Sequence, residues 1–139
     1  MSLLKIFFLL FLAFQIIQVD KINPKYDKKD EIKAPKEVMN IFKRSCWDCH
    51  SNDTVWPWYA SVAPFSWTIV KNVRNGRAYV NFSIWETYTN KQKDKKLEEI
   101  YRTMNGAMPP AGYIRFHSDA NITNEQKDLI QTWTGKAVF

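Results

Sequence analysis

The chain has only two cysteines, and they lie three residues apart in the run Cys46-Trp47-Asp48-Cys49-His50. Two cysteines are too few for a disulfide scaffold, so the pair has to be interpreted as a local chemical motif. A chain of 139 residues has room for one domain and not two. That domain must therefore fold so that two sulfurs and one imidazole meet at a single site.

The pattern Cys-x-x-Cys-His is the attachment signature of c-type haem. Each thiol adds across one haem vinyl group, and two intervening residues let both sulfurs reach neighbouring edges of the same ring. The His after the second Cys is then placed beneath the iron as its proximal ligand. The motif predicts one covalent haem c, with thioethers at Cys46 and Cys49 and iron bound by His50.

Three other uses of the motif are possible in principle. A zinc site needs four ligands, often paired Cys and His, but only His117 remains outside the motif. A thioredoxin-like redox pair requires a βαβ context, and no alternating strand pattern occurs in the sequence. A plain structural disulfide is as weak an interpretation. The motif, in a chain with an export-like N-terminus, favours haem attachment over all three.

The second iron ligand is predicted to be Met108, in the Gly-Ala-Met-Pro-Pro loop at 106–110. A thioether is a soft, weak ligand that favours reduced iron and raises the reduction potential. The two prolines stiffen the loop and lower the entropy cost of holding the sulfur in place. Two alternatives stay open: Met108 as a core residue, and ligation by His117 in a polar turn. Met104 fits a helical stripe and is expected in the core.

The N-terminal run from Leu3 to Val19 is strongly apolar, interrupted only by Lys5, Gln15 and Gln18. As one helix it would reach roughly 25 Å, slightly short of a bilayer core of about 30 Å. A charged start before an apolar run is also the form of a secretory signal, but no small-residue cleavage site follows. Residues 1–19 therefore predict an uncleaved membrane anchor, with a signal segment as the alternative.

The orientation of this anchor is predicted from the motif and against the distribution of charge. Lys21, Lys25, Lys28 and Lys29 follow the apolar run, and the positive-inside rule taken simply would keep them in the cytoplasm. Haem attachment to Cys-x-x-Cys-His takes place outside the bacterial cytoplasmic membrane. We therefore expect the domain on the periplasmic side, anchored by the N-terminal helix, or exported if that helix is cleaved.

Two further segments complete the predicted organisation. Residues 20–34 are polar, with Pro24, a mixed-charge run and no apolar periodicity, and they predict a charged linker that holds the domain off the membrane. Residues 35–139 carry helical periodicity and are predicted to form one haem-binding domain. No alternating strand pattern and no internal repeat occur, so the predicted fold class is all-α.

Apolar residues at three- and four-residue steps predict five helices in this domain, bounded by start prolines, capping boxes and stop glycines. The first helix begins at Pro35 with Val38, Ile41 and Phe42 inward, and the second runs from Phe65 to Asn75, is stopped by Gly76 and has Trp67, Val70 and Val73 inward. The third begins at a Ser83–Glu86 capping box, and the fourth carries the stripe Leu97, Ile100, Tyr101 and Met104 and ends at Gly106. The fifth begins at a Thr123–Gln126 capping box, has Leu129, Ile130 and Trp133 inward and is followed by Gly135.

From Pro35 to Gly135 the chain resembles the small haem-binding domain family of c-type cytochromes. The segments that carry the resemblance are CWDCHSNDTVWPWY, APFSW, NGRAYVNFSIW and MPPAGYIRFHSDANITNEQKDLIQTW. The resemblance implies a cytochrome c-like helical domain around one covalent haem, outside the cytoplasm. Cys46, Cys49 and His50 match the attachment motif, and Met108 matches the Met-Pro position. Asn72 stands where members of the family often have His or Asp, so that position is not a required ligand.

Further candidates concern the surroundings of the haem. Arg74 or Arg77 is a candidate partner for a haem propionate, with an ordinary surface position as the alternative. Aromatic residues are candidates for lining the haem pocket and excluding water, with packing away from the haem as the alternative. Those residues are Trp56, Trp58, Tyr59 and Trp67.

The formal net charge is +6, and most of the excess is lysine. No Arg-rich helix face or Arg/Gly-rich tract accompanies it, so a nucleic-acid partner is not predicted. The stretch from Lys91 to Lys96 is instead expected to steer an acidic redox protein.

Three functions are compatible with these observations. Two protein ligands leave the iron no open position, so the preferred hypothesis is a monohaem cytochrome that carries electrons and is not an enzyme. If Met108 does not bind or leaves easily, a peroxidase-like enzyme or a gas or redox sensor is the alternative. The third is a binding module without haem.

Overall fold

The computed structural model describes residues 2–135, which form seven α-helices and no strand. The all-α prediction is confirmed for this part of the chain. The helices are α1 (Leu3–Phe14), α2 (Lys36–Ser45), α3 (Trp47–His50), α4 (Phe65–Tyr79), α5 (Asn90–Met104), α6 (Ala111–Phe116) and α7 (Asn124–Thr134), with 3₁₀ turns at Lys28–Asp30, Trp58–Ser61, Phe82–Thr87 and Ser118–Ala120.

Helices α2 and α3 carry the Cys-x-x-Cys-His motif. Pro35 precedes α2, whose buried face holds Val38, Ile41 and Phe42 as predicted. Cys46 is the residue between the two helices, and its carbonyl accepts hydrogen bonds from the amides of Cys49 (3.2 Å) and His50 (3.0 Å). The motif is therefore wound into one compact turn at the end of a buried helix.

A single hydrophobic core joins α2, α5 and α7 to the turn at Phe82–Thr87. The rings of Phe42 and Phe82 stack with centroids 5.0 Å apart, and Trp133 meets Phe42 edge-on at 5.4 Å. Met104 is buried in this cluster, as predicted. Each such fully buried side chain contributes roughly 1.5–3 kcal/mol relative to exposure. The buried members are Ile32, Val38, Ile41, Phe42, Trp47, Val80, Phe82, Trp85, Tyr101, Met104, Ile122 and Ile130.

Helix α4 runs four residues beyond its predicted end. Gly76 was expected to stop the helix, but it lies inside α4, which continues to Tyr79. Gly76 has no positive φ; among the described residues only Gly135 does, at 64° after α7. Gly76 is buried where α4 packs on α3, so its small size serves close packing and not helix termination.

The predicted helix opening at Ser83 was wrong. Ser83 is buried, and its hydroxyl accepts a hydrogen bond from the Asn52 amide at 2.9 Å. The Asn81 side chain caps the Ser83 amide at 3.0 Å, and only a 3₁₀ turn forms. The next helix, α5, begins at Asn90 behind a capping box made by Thr89 and Gln92.

The last two predicted helices are present, and one helix was missed. α5 holds the predicted stripe, and α7 begins with the predicted capping box between Thr123 and Gln126. Leu129 is 46% exposed, so it is not part of the inward face of α7. The short helix α6 follows the Met-Pro-Pro loop and was not predicted, because six residues are too few to show a period.

The apolar N-terminal run is helical over a shorter length than predicted. α1 spans 12 residues, about 18 Å, and ends at Phe14. The side-chain amide of Gln15 then pairs with the backbone of Ala63, accepting from its N–H and donating to its carbonyl, both at 3.0 Å. Within residues 2–135 no helix is both long and apolar enough to cross a membrane. The prediction of a periplasmic domain anchored by this helix was therefore wrong.

The segment predicted as a spacer lies against the helical domain. The Asn23 side chain donates to the Thr54 carbonyl at 3.0 Å, and the Ile32 amide donates to the Phe82 carbonyl at 2.8 Å. Ile32 is also fully buried in the core. Residues 22–32 thus pack on the domain, while the boundaries drawn at 1–19, 20–34 and 35–139 stay predictions.

Candidate functional site

A cavity of about 610 Å³ lies beside the motif. Its volume is in the range of small-molecule and cofactor pockets, roughly 300–1,000 Å³. Cys46, Cys49 and His50 line it, and so does Met108, fifty-eight residues beyond His50 in the chain. Side chains of the hydrophobic core provide much of the rest of the wall: Phe42, Val80, Phe82, Met104, Ile122 and Ile130.

The His50 ring is held in one tautomer by the end of α4. Its Nδ1 atom lies 3.0 Å from the carbonyl oxygens of both Gly76 and Val80. Carbonyl oxygens only accept, so Nδ1 carries the proton and Nε2 keeps its lone pair. Burial lowers the pKa of His50, which keeps the ring neutral. A neutral imidazole oriented through one nitrogen is the form that binds a metal through the other.

Gly76 makes this arrangement possible. A Cβ atom at position 76 would lie 2.4 Å from the carbonyl oxygen of Cys49 and 3.2 Å from its Cβ atom. Only glycine lets α4 approach the motif closely enough for its own carbonyl to reach His50. Sequence analysis missed this role, although a lone glycine inside a helical pattern is a signal of close packing.

The two cysteines are neutral thiols in this environment. Burial raises the pKa of Cys46 to about 12 and that of Cys49 to about 11. Both are free. A redox-active dithiol works through a thiolate of lowered pKa, so the thioredoxin-like interpretation does not fit. Between residues 2 and 135 no group of three or more His, Cys, Asp and Glu side chains is placed to hold a metal ion.

The Met108 loop is fixed to the helix on either side of it. The amides of Gly106, Ala107 and Met108 all donate to the Thr103 carbonyl, at 3.1, 2.8 and 2.9 Å. Pro110 then leads into α6, where the Tyr113 hydroxyl donates to Asp48 Oδ2 at 2.8 Å. Met108 is 40% exposed, so it is not a core residue.

Comparison with known families identifies the family of the chain. A family model described as a haem-binding domain matches residues 9–136. The chain belongs to this family. No curated protein and no solved structure matches the chain.

The cavity fits the group that the haem-binding domain family implies. A cavity with largely apolar walls next to a neutral imidazole with a free nitrogen suits a flat, largely apolar ring with a central iron. Two protonated thiols and a thioether line the same space. The resemblance drawn from the sequence motifs is thereby confirmed at the level of the family and of haem binding.

The four aromatic residues predicted for the haem pocket lie outside the cavity. Trp58 is 80% exposed, and Tyr59 packs on Phe116 with ring centroids 5.0 Å apart. Trp67 turns toward the N-terminal segment, where it contacts Phe14 and donates from Nε1 to the Ile17 carbonyl at 2.9 Å. Trp56 is half-buried away from the cavity wall. The turn at Trp58–Ser61, which carries two of them, packs on α4.

Three other residues considered from the sequence, His117, Arg74 and Arg77, are also outside the cavity. His117 stacks on the Tyr113 ring at 4.2 Å and does not line the wall. Arg77 holds the N-terminal segment to the domain, and Arg74 is exposed on α4. Asn72 does line the cavity.

Two wall residues of the haem-binding domain were missed from the sequence. Arg102 lines the cavity from α5 and is the one Lys or Arg side chain that does so among residues 2–135. Tyr113 lines it from α6. Burial, followed by the Asp48 charge, raises the pKa of Tyr113, so its hydroxyl stays protonated as a donor. Arg102 belongs to no motif, and Tyr113 lies in the segment after Met-Pro-Pro that carries the family resemblance, where no sequence pattern assigned it a role.

Proposed function

We propose that this haem-binding domain holds one haem c covalently and carries electrons. The observation that supports it is that Cys46, Cys49, His50 and Met108 line one cavity with largely apolar walls. A haem held there would supply an iron that takes up and releases one electron. The protein's part is to attach the ring, bind the iron and keep water away from it.

Attachment would use both thiols as they stand. The Cys46 and Cys49 sulfurs would each form one bond to a vinyl carbon of the haem, and each thiol hydrogen would pass to the other carbon of that vinyl group. Nothing is lost and no oxidant is consumed. The high pKa of both thiols keeps them protonated and therefore able to supply that hydrogen.

His50 Nε2 and the Met108 sulfur would be the two protein ligands of the iron. The carbonyls of Gly76 and Val80 hold the His50 ring through Nδ1, which raises its basicity as a ligand. With both ligands bound the iron would have no open coordination position, so the chemistry that the haem would supply is the exchange of single electrons. The propionate pairing first predicted for Arg74 or Arg77 is proposed instead for Arg102, because it lines the cavity.

The proposed partner is an acidic redox protein. Lys91 and Lys95 are exposed on α5, the helix that also contributes Glu99 and Arg102 to the cavity wall. A basic surface near the site of electron exit raises the rate of encounter with an acidic partner.

The visible absorption spectrum of the protein, produced in a host that attaches haem c, tests this proposal. We expect sharp reduced α and β bands that survive denaturation, together with the weak far-red band of ferric iron bound by methionine sulfur. Met108→Leu should abolish the far-red band and let carbon monoxide bind the reduced protein. Met39→Leu is the matched control, because Met39 packs against the core away from the cavity.

The outcomes separate the alternative functions. A covalent but high-spin haem in the unaltered protein would remove Met108 from the iron and favour a peroxidase-like enzyme or a sensor. A haem that is lost on denaturation would refute covalent attachment. Equal spectra for Met108→Leu and Met39→Leu would refute methionine ligation.

A further inference from the structure

The short helix α6 links the Met108 loop to the attachment motif through one hydrogen bond. The Tyr113 hydroxyl donates to Asp48 Oδ2 at 2.8 Å, across 65 residues of sequence. Asp48 stands between the two cysteines, and both residues line the cavity. The protein itself thus links the Cys-x-x-Cys-His motif to the loop that carries Met108, the predicted second iron ligand.

The acceptor of this bond is rigidly placed. Asp48 Oδ1 accepts from the Val55 amide at 3.0 Å, and the Asp48 carbonyl accepts from the Thr54 hydroxyl at 2.6 Å. Both carboxylate oxygens are therefore engaged. The carboxylate cannot follow the tyrosine if α6 moves away.

The donor is coupled to Met108 over a short stretch of chain. The amides of Tyr113 and Ile114 donate to the Pro110 carbonyl at 2.9 and 3.1 Å, so α6 begins immediately after the loop. Pro109 and Pro110 leave little freedom between Met108 and α6. On its other side the loop is fixed by the Thr103 carbonyl at the end of α5. Displacing Tyr113 would release the second end of the loop.

We propose that the Asp48–Tyr113 hydrogen bond is a latch that positions Met108 as an iron ligand. Both residues are positioning residues, since they act through the loop. The inference rests on the proposed His50–Met108 ligation. Opening the latch should raise the fraction of time that the sulfur is away from the iron, and with it the access of small ligands.

Tyr113→Phe removes the hydroxyl and keeps the ring. A hydrogen bond to a charged group contributes enough that its loss should speed carbon monoxide binding to the reduced protein about tenfold. The far-red ferric band should weaken. Asp48→Asn, which keeps the shape of the acceptor but not its charge, should give a smaller change in the same direction.

Tyr59→Phe is the matched control. Tyr59 packs its ring on Phe116 of α6, and the substitution removes a hydroxyl near the same helix while keeping that contact. We expect its far-red band and carbon monoxide rate to equal those of the unaltered protein. A thermal melt of each variant checks that the fold is intact.

Each outcome bears on a separate claim. If the unaltered protein lacks the far-red band, methionine ligation fails and the latch fails with it. If the unaltered protein has the band and Tyr113→Phe matches Tyr59→Phe in both measurements, ligation stands and the latch is refuted. Equal weakening in both tyrosine variants would mean that the Asp48–Tyr113 hydrogen bond matters no more than a neighbouring hydroxyl without that bond, and would also refute the latch.

Discussion

Gly76 is the single residue whose size most directly determines the geometry of the site. The Cys49 carbonyl oxygen lies only 2.4 Å from the place that a Cβ atom of residue 76 would occupy. The Gly76 carbonyl in turn accepts a hydrogen bond from His50 Nδ1. The obstructing atom is backbone, so a larger residue would force α4 away from the motif. One missing methyl group thus governs both the packing of the cysteines and the orientation of the histidine.

We predict that Gly76→Ala lowers the free energy of unfolding by roughly 1–3 kcal/mol, because an overpacked contact displaces backbone. Thermal or urea unfolding of the variant measures this directly. Gly106→Ala is the control, since a Cβ atom there meets nothing within 4 Å. A Gly76→Ala protein as stable as Gly106→Ala would show that α4 and α3 do not pack as described.

For single residues, the sequence predicts which side chains have a chemical role better than it predicts where the other side chains lie. Cys46, Cys49 and His50 are recognisable because a local spacing carries their chemistry, and their roles at the haem stay predictions. Arg77 is different: it donates to the carbonyls of Ser51 (2.7 Å) and Ile22 (2.6 Å) and to Asn23 and Thr54. Its partners lie up to 55 residues away, so no local pattern distinguishes it from a surface arginine.

Among the helices, the least predictable behaviour is that of the N-terminal segment. Its apolar run suggests one continuous helix, but the chain turns after Phe14 because Gln15 pairs with Ala63, 48 residues away. Similarly, the Ser83–Glu86 pattern is typical of a helix start. In the structure, however, the Ser83 hydroxyl accepts from the Asn52 backbone amide and the Ser83 backbone amide donates to the Asn81 side chain, which makes a buried turn. Capping boxes at Thr89 and Thr123 do start helices where nothing competes for them.

Two truncations should separate α1 from the segment that follows it. Removing residues 2–13 deletes only exposed helix and should change the free energy of unfolding by about 0.5 kcal/mol or less. Removing residues 2–23 also deletes the partners of Ala63, Trp67 and Arg77. At about 1 kcal/mol for each lost hydrogen bond, this loss should reach roughly 3 kcal/mol or more.

Urea unfolding followed by tryptophan fluorescence measures both truncations, and Trp67 reports locally on the lost contact with Ile17. Equal stability of the two shortened proteins would mean that residues 14–23 do not stabilise the domain.

For the molecule as a whole, the sequence gives the net charge and the fold gives the positions of the charged side chains. The net charge of +6 is known from composition alone, but its position relative to the cavity requires the fold. α5 brings Lys91 and Lys95 onto the helix that borders the cavity. Lys25 and Lys36, also exposed, lie on the N-terminal segment and at the start of α2.

We predict that Lys91→Gln with Lys95→Gln slows oxidation of the reduced protein by the hexacyanoferrate(III) anion severalfold at low salt. The difference should shrink as ionic strength rises, because salt screens charges beyond about 10 Å at 0.1 M. Lys25→Gln with Lys36→Gln removes the same charge and should have a smaller effect. Oxidation by a cationic ruthenium complex should not slow in either pair; equal slowing by both pairs would contradict a local basic surface on α5.

The exposure of Met108 also bears on chemical ageing. A thioether open to solvent is readily oxidised to the sulfoxide, which turns a soft donor into a polar group. Met108 is 40% exposed as a residue, so peroxide can approach it, whereas a sulfur lone pair bound to iron would be shielded. Chains without haem would accumulate sulfoxide at Met108 and lose that candidate ligand, while their Cys46 and Cys49 thiols could still attach the ring, so the modification would record how long a molecule had waited for its haem.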